Sequence, residues 1–303
     1  MERTLEFSVC LWLTLIFTAI YFLISFIAVN FFPIPMKKVK DGYIKMKHPD
    51  YWLHYLEIAS ITHAFSTIFL GIYWIWESGY EFDHQTTYWE YICISNSLAY
   101  FIEDLIVELY YKAGDPGIYA HHVFSILLTY AALNESYSGM AMAGGLFYGE
   151  LTNPFFWYRN YLKRTGYEFT TTYQVWFWFY AIVYYCCRGI MFSYNTYYIV
   201  ISMTIPFYIK CVFLPSLFLS HGWMFLLSRA LWKNIPYWFS NPKSIQEKEW
   251  WIKGRLFLKK YTKDAPMVYY VCIFIAIYSC LIPISIAYYL KYVSSHTFAS
   301  KAI

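Results

Sequence analysis

The sequence predicts an all-α protein that crosses a membrane about eight times. Of its 303 residues, 59% are apolar and 14% are charged, whereas soluble domains carry about 25% charged residues. The apolar residues form blocks, most of them long enough to cross a bilayer core about 30 Å thick. Lys and Arg are concentrated in alternate loops between the blocks, as the positive-inside rule requires of a polytopic membrane protein.

The predicted spans follow the apolar blocks in order. The first block is too long for a signal peptide and lacks a small-residue cleavage site. Pro33 ends it, because proline cannot continue the hydrogen-bond ladder of a helix. Pro206 and Pro215 predict a kink or a re-entrant piece between Tyr194 and Pro215. The eight spans are roughly Phe7–Phe32, Trp52–Trp76, Trp89–Tyr111, Ile118–Leu133, Tyr137–Phe156, Tyr173–Ser193, Phe207–Trp232 and Val268–Leu290.

The charge of the loops predicts the orientation of the chain. Loops on one side hold 18 Lys and Arg residues, whereas the opposite side holds Arg3, Lys291 and Lys301. Positively charged loops stay on the cytosolic or matrix side of a membrane. Both termini are therefore expected on the lumenal or intermembrane-space side.

The pattern divides the chain into three parts. Residues 1–50 carry the first span and a basic loop, residues 51–232 form a six-helix bundle, and residues 233–303 add a basic segment and a C-terminal span. Within the last part, Lys243–Lys263 mixes seven basic residues with large apolar ones. This pattern is typical of an amphipathic helix at an anionic membrane surface, and it fits a helix docked on a partner equally well.

Several ionisable residues lie inside the predicted spans. A charge at the centre of a bilayer costs about 2.5–3.5 kcal/mol on insertion scales, so such residues normally face the interior of the bundle. Asp104 and Glu108 are one helical turn apart and share a face. We expect one polar cluster, which either fixes the packing of the helices or forms a site for a lipid headgroup or for acyl chemistry. The candidate lipid-binding residues are Glu103, Asp104, Glu108, His121, His122, Glu150 and Arg188.

Other kinds of chemistry have little support in the sequence. No His-x-x-x-His occurs, and the adjacent pair His121–His122 points in directions about 100° apart on a helix, so no metal site and no cofactor are expected. There is no Walker motif, dinucleotide fingerprint or nucleophile elbow. The basic loops are membrane-proximal charge, so nucleic acid is not an expected partner.

A series of motifs resembles a known family, the TLC domain. This family includes ceramide synthases, translocon-associated TRAM proteins and small lipid-regulating membrane proteins. The resemblance covers about Tyr51 to Trp232 and implies a six-helix fold. Its motifs, in order, are SITHAFSTIFLGIY (60–73), SNSLAYFIEDLIVELYY (95–111), YAHHVFSILLTY (119–130), GELTNPFFWYRNYL (149–162) and YYCCRGI (184–190).

Within this family the sequence is most similar to the small members that are not synthases. Their acidic residue in the third span, their His-His and their Glu-Leu-Ser/Thr-x-Pro fall on Asp104, His121–His122 and Glu150–Pro154. Ceramide synthases carry a further His-Asp-x-x-Asp motif, and the corresponding region here has no histidine. The resemblance therefore implies lipid binding or lipid regulation, and it leaves open whether the protein is an enzyme, with acyl transfer disfavoured.

Three functions remain in view. The first is a lipid-binding or lipid-regulating protein of the endoplasmic reticulum or Golgi membrane, with membrane lipids as its partners. The second is a non-catalytic subunit of a large membrane complex, with the mitochondrial inner membrane as its candidate location and other membrane subunits as partners. The third is an acyltransferase similar to ceramide synthases.

Overall fold

A computed structural model describes residues 7–31, 36–39, 42–45, 50–78, 83–114, 116–168 and 170–240. Most of these residues are helical, which confirms the predicted all-α class, and the remaining regular structure is the antiparallel hairpin of β1 (Met36–Val39) and β2 (Gly42–Lys45). A π-helical segment, Tyr185–Met191, joins two of the helices. The helices are α1 (Phe7–Phe31), α2 (Asp50–Ser78), α3 (Tyr88–Tyr111), α4 (Pro116–Leu133), α5 (Gly139–Glu150), α6 (Asn153–Arg164), α7 (Thr171–Tyr184), α8 (Phe192–Ile201) and α9 (Phe207–Ser240).

Four helical stretches in the described part of the chain are long and apolar enough to cross a membrane. They are Phe7–Phe31, Tyr55–Ile75, Thr172–Ile201 and Phe207–Trp232. Helices α3 and α4 lie where spans were predicted, but the acidic residues of α3 and the two histidines of α4 make them more polar. The predicted span Val268–Leu290 and the basic segment Lys243–Lys263 lie outside the described residues.

The described chain has two helix breaks near prolines. The fifth predicted span, Tyr137–Phe156, is divided into α5 and α6, because Pro154 has no N–H to donate to the carbonyl of Glu150. The chain also leaves the helix at residues 202–206, within the stretch where the prolines predicted an irregularity, whereas Pro215 lies inside α9. The prediction from Pro206 and Pro215 therefore located the break at residues 202–206, but not the break between α5 and α6.

Helix α3 is the central helix of the first compact unit, Met1–Leu219; a second unit begins at Ser220. It packs against α1, α2, α4 and α5, and most of its residues are buried. A capping box fixes its start: the Thr87 hydroxyl accepts from the Glu90 N–H, and Glu90 Oε2 accepts from the Thr87 N–H at 2.7 Å. Glu90 Oε1 also accepts from Trp74 Nε1 at 2.9 Å, which attaches the start of α3 to α2.

Candidate functional site

Asp104 and Glu108 of α3 face His122 of α4 in the interior of the protein. His122 Nε2 lies 3.1 Å from Asp104 Oδ2 and 3.7 Å from Glu108 Oε2. All three side chains are buried. One nitrogen and two carboxylate oxygens, each from a different residue, thus lie within 4.8 Å of one another. Such a group could share a proton or hold a cation.

The short connection between α3 and α4 brings these residues together. Lys112 adopts a left-handed conformation with φ of 52°, which ends α3 and turns the chain back toward Pro116. A Cβ at Gly114 would lie 2.7 Å from Glu108 Oε2, so the backbone of the turn lies close to that carboxylate. The last turns of α3 and the first turns of α4 are consequently neighbours, and His122 meets the face that carries Asp104 and Glu108.

The side chain of Glu103 points in a different direction from that of its neighbour Asp104, because successive residues of a helix are rotated by about 100°. Its Oε1 accepts a hydrogen bond from the Ser25 hydroxyl of α1 at 2.6 Å. Ser25 also lines a groove of about 300 Å³ between α1 and α3. The groove is mainly apolar and is lined by Phe22, Ser25, Phe26, Val29, Asn30, Ile106, Val107, Tyr110 and Tyr111.

A second polar group surrounds His63 of α2, which is fully buried. Its Nδ1 lies 3.4 Å from Glu150 Oε2, and its Nε2 lies 3.0 Å from the hydroxyls of Ser97 and Thr67. Asn153 Nδ2 donates to the same Glu150 oxygen at 2.7 Å. This group joins α2, α3, α5 and the first residue of α6.

Tyr100 connects the two groups. Its ring stacks on His63 with centroids 4.1 Å apart and planes 10° apart, and its hydroxyl donates to Asp104 Oδ2 at 2.9 Å. The polar residues therefore form one connected network that runs from Glu150 through His63 and Tyr100 to Asp104 and His122.

Arg188 and His121 lie beside this network. Arg188, in the π-helical segment, donates from Nη2 to the carbonyl of Gly149 at 2.8 Å and from Nε to the Thr152 hydroxyl at 3.1 Å. The ring of His121 lies 5.4 Å from that of His122. It is His122, of the two, that faces the carboxylates of Asp104 and Glu108, in keeping with the divergence of neighbours on a helix.

The seven candidate residues do not include His63 and Tyr100 of the network, nor Ser25, which donates to Glu103. His63 was recognisable, since an ionisable residue in an apolar span normally faces the bundle interior. Tyr100 and Ser25 carry no such signal, because the chain has 34 tyrosines and serine is common in helices. The roles of the seven predicted residues in lipid binding stay predictions.

The fold and the network together define a class: a polytopic helical membrane protein with a buried polar network. Many large apolar side chains are exposed on its helices, as a lipid-facing surface requires. The TLC domain is the family whose sequence model matches, over residues 56–235. The chain therefore belongs to the TLC-domain family. No solved structure matches the chain significantly.

Proposed function

We propose that this protein binds a membrane lipid and regulates or presents it without transforming it. One acyl chain of the lipid occupies the groove between α1 and α3. The observation that supports this proposal is the groove itself, which is mainly apolar and lies on two helices that expose apolar side chains. Its volume of about 300 Å³ is at the lower end of the range for ligand sites, which suits a single chain rather than a whole lipid.

The groove lies beside the C-terminal parts of α1 and α3. Ser25 and Asn30 add polar atoms to a wall that is otherwise apolar or aromatic, and Asn30 is next to the end of α1. The tyrosines at the end of α3, Tyr110 and Tyr111, lie on the opposite wall, and the next residue is Lys112, which is exposed. Tyrosine and lysine are favoured at the membrane surface. The headgroup of the bound lipid therefore lies at the end of the groove that is formed by Tyr110 and Tyr111.

Lipid extraction followed by mass spectrometry tests this proposal. The protein purified in mild detergent should retain one dominant lipid class. Val29→Trp fills the groove, so we expect it to lose most of that lipid. Leu15→Trp places the same side chain on an exposed position of α1 that does not line the groove, and it should retain the lipid. Equal lipid content in the two variants would reject the groove as the binding site.

Acyl transfer is a second candidate, favoured by one contact. His122 Nε2 lies 3.1 Å from Asp104 Oδ2, and a carboxylate of this kind can orient a histidine that acts as a base. Purified protein supplied with acyl-CoA and a sphingoid base provides the test. We expect no amide product, because the His-Asp motif of the synthases is absent. A product that disappears in His122→Ala would instead establish the enzyme.

We also propose a location in the endoplasmic reticulum or Golgi membrane. The competing proposal is a subunit of a larger complex in the mitochondrial inner membrane, and the segment that motivates it, Lys243–Lys263, lies outside the described residues. The mass of the particle released by mild detergent distinguishes a lipid-binding protein from a subunit of a complex. A small particle with bound lipid supports the former, and a large one with stoichiometric partner chains supports the latter. Fractionation of the two membranes tests the location.

A further inference from the structure

We propose that Asp104, Glu108 and His122 bind one divalent transition-metal ion between α3 and α4. The proposal is independent of lipid binding in the groove. It departs from the sequence expectation of no metal site, which was based on the absence of paired histidines along one helix. Here the donors come from two helices, and their proximity follows from the short turn between them.

The positions of the donor atoms suit such an ion. Zinc binds imidazole nitrogen and carboxylate oxygen at about 2.1 Å, so that two ligands of a tetrahedral site lie about 3.4 Å apart. The distances from His122 Nε2 to the oxygens of Asp104 and Glu108 are 3.1 Å and 3.7 Å, on either side of that value. The third pair is also close, since all three donor atoms lie within 4.8 Å of one another. Small rotations of the side chains are sufficient to enclose an ion.

The charge of the group also favours a cation. Two carboxylates from adjacent turns of α3 are buried beside a single imidazole. A proton on His122 Nε2 can be donated to only one carboxylate at a time, and even a doubly protonated ring carries one positive charge against two negative ones. Burying a charged group in a low-dielectric interior costs several kcal/mol per ion. A divalent cation balances both carboxylates while His122 is neutral.

The surroundings hold the ligands in place. The Tyr100 hydroxyl donates to Asp104 Oδ2 at 2.9 Å, which is the kind of outer hydrogen bond that orients a metal-binding carboxylate. Asp104 and Glu108 are on one face of a single helix, so their spacing is set by the helix. Glu108 lies one turn before the end of α3, close to the turn that contains the exposed Lys112.

The donor set indicates the kind of ion. Imidazole combined with carboxylates suits zinc, manganese or iron, whereas calcium and magnesium prefer oxygen alone. Three protein ligands leave at least one coordination position open for water or another small ligand. Zinc and manganese are therefore the ions to test.

The experiment measures metal bound to the full chain in detergent. The purified protein is dialysed against Zn²⁺ or Mn²⁺, then against metal-free buffer, and analysed by inductively coupled plasma mass spectrometry. We expect about one ion per chain in the unmodified protein. Asp104→Asn, Glu108→Gln and His122→Ala should each lose it. Glu103→Gln and His121→Ala are the matched controls, because each changes a neighbour in sequence that lies outside the three-residue group, and both should retain the ion.

A second measurement uses only the unmodified protein, so it does not depend on whether the variants fold. In the unmodified protein, a chelator should lower the melting temperature and Zn²⁺ should restore it. Absence of bound Zn²⁺ and Mn²⁺ in the unmodified protein would overturn the proposal, as would an ion that persists in both Asp104→Asn and His122→Ala. Val29→Trp should still bind the ion, so a failure of lipid binding and a failure of metal binding give different results.

Discussion

Tyr100 shows at the scale of a single residue how the network is joined. One side chain provides both a ring that stacks on His63 and a hydroxyl that donates to Asp104. The ring contact and the hydrogen bond can be separated by mutation, because phenylalanine preserves the first and removes the second.

We expect Tyr100→Phe to destabilise the protein by about 2 kcal/mol, because a hydrogen bond to a buried carboxylate is worth about 1.5–3 kcal/mol. The melting temperature in detergent measures this effect. Tyr88→Phe is the control on the same helix, since Tyr88 is 45% exposed and does not line the groove, and it should leave the melting temperature unchanged. An equal effect of the two substitutions would contradict the role assigned to the Tyr100 hydroxyl.

Glu90 shows that a buried carboxylate need not belong to a site. It is fully buried, yet Trp74 Nε1 and the Thr87 N–H donate to its oxygens, and His84 Nε2 lies 2.9 Å from Oε1. These contacts belong to the start of α3 and its attachment to α2. Glu108, near the other end of the same helix, faces an imidazole and a second carboxylate instead.

At the scale of helices, the contact between α2 and α5 positions His63 beside Glu150. Gly71 of α2 lies against Phe147 of α5, and a Cβ at Gly71 would lie 2.8 Å from Cγ and 3.0 Å from Cβ of Phe147. Cβ of Phe147 is bonded directly to the backbone, so it cannot move aside unless α5 shifts. The small residue thus sets the separation of the two helices.

Gly71→Ala should therefore destabilise the protein by about 1–3 kcal/mol, as overpacked cores do. Gly222→Ala is a matched control within α9, because no described atom lies within 4 Å of a Cβ at that position, and alanine favours a helix over glycine by about 1 kcal/mol. Relative to the unmodified protein, the melting temperature should fall in Gly71→Ala and rise in Gly222→Ala. A stabilising effect of Gly71→Ala would show that α2 and α5 are less closely packed.

The division between α5 and α6 also has a local consequence. Because the helix is interrupted before Pro154, Glu150 lies at the last position of α5 and Asn153 at the first of α6. The Asn153 amide can then donate to Glu150 Oε2. The proline was visible in the sequence, whereas this hydrogen bond depends on the side-chain positions of the folded protein.

At the scale of the whole molecule, the distribution of basic residues predicts which side each loop faces. Lys112 precedes α4 and Ser136 follows it, and both are exposed. If α4 crosses the membrane, these two positions lie on opposite sides, with Lys112 on the cytosolic or matrix side.

A cysteine introduced at each of the two positions provides the measurement. Lys112→Cys should react with a membrane-impermeant thiol reagent only from the cytosolic or matrix side, and Ser136→Cys only from the other side. The unmodified protein is the control for reaction of the native cysteines. Reaction of both variants from the same side would show that α4 does not cross, and reversed reactivity would show that the orientation is inverted.

The sequence by itself determined the membrane class, the positions of most helices in the described residues and the family, because these depend on composition, apolar length and motif order. It also selected Asp104, His122 and Glu150, since ionisable residues in apolar helices are rare and must face the interior.

Only the tertiary structure decided which of these residues are partners. Glu103 and Asp104 are adjacent in sequence, yet one meets Ser25 of α1 and the other meets His122 of α4. The connection through Tyr100 and the groove between α1 and α3 likewise arise between helices. Distances between helices depend on how all their side chains pack, and no local pattern in a single sequence specifies that packing.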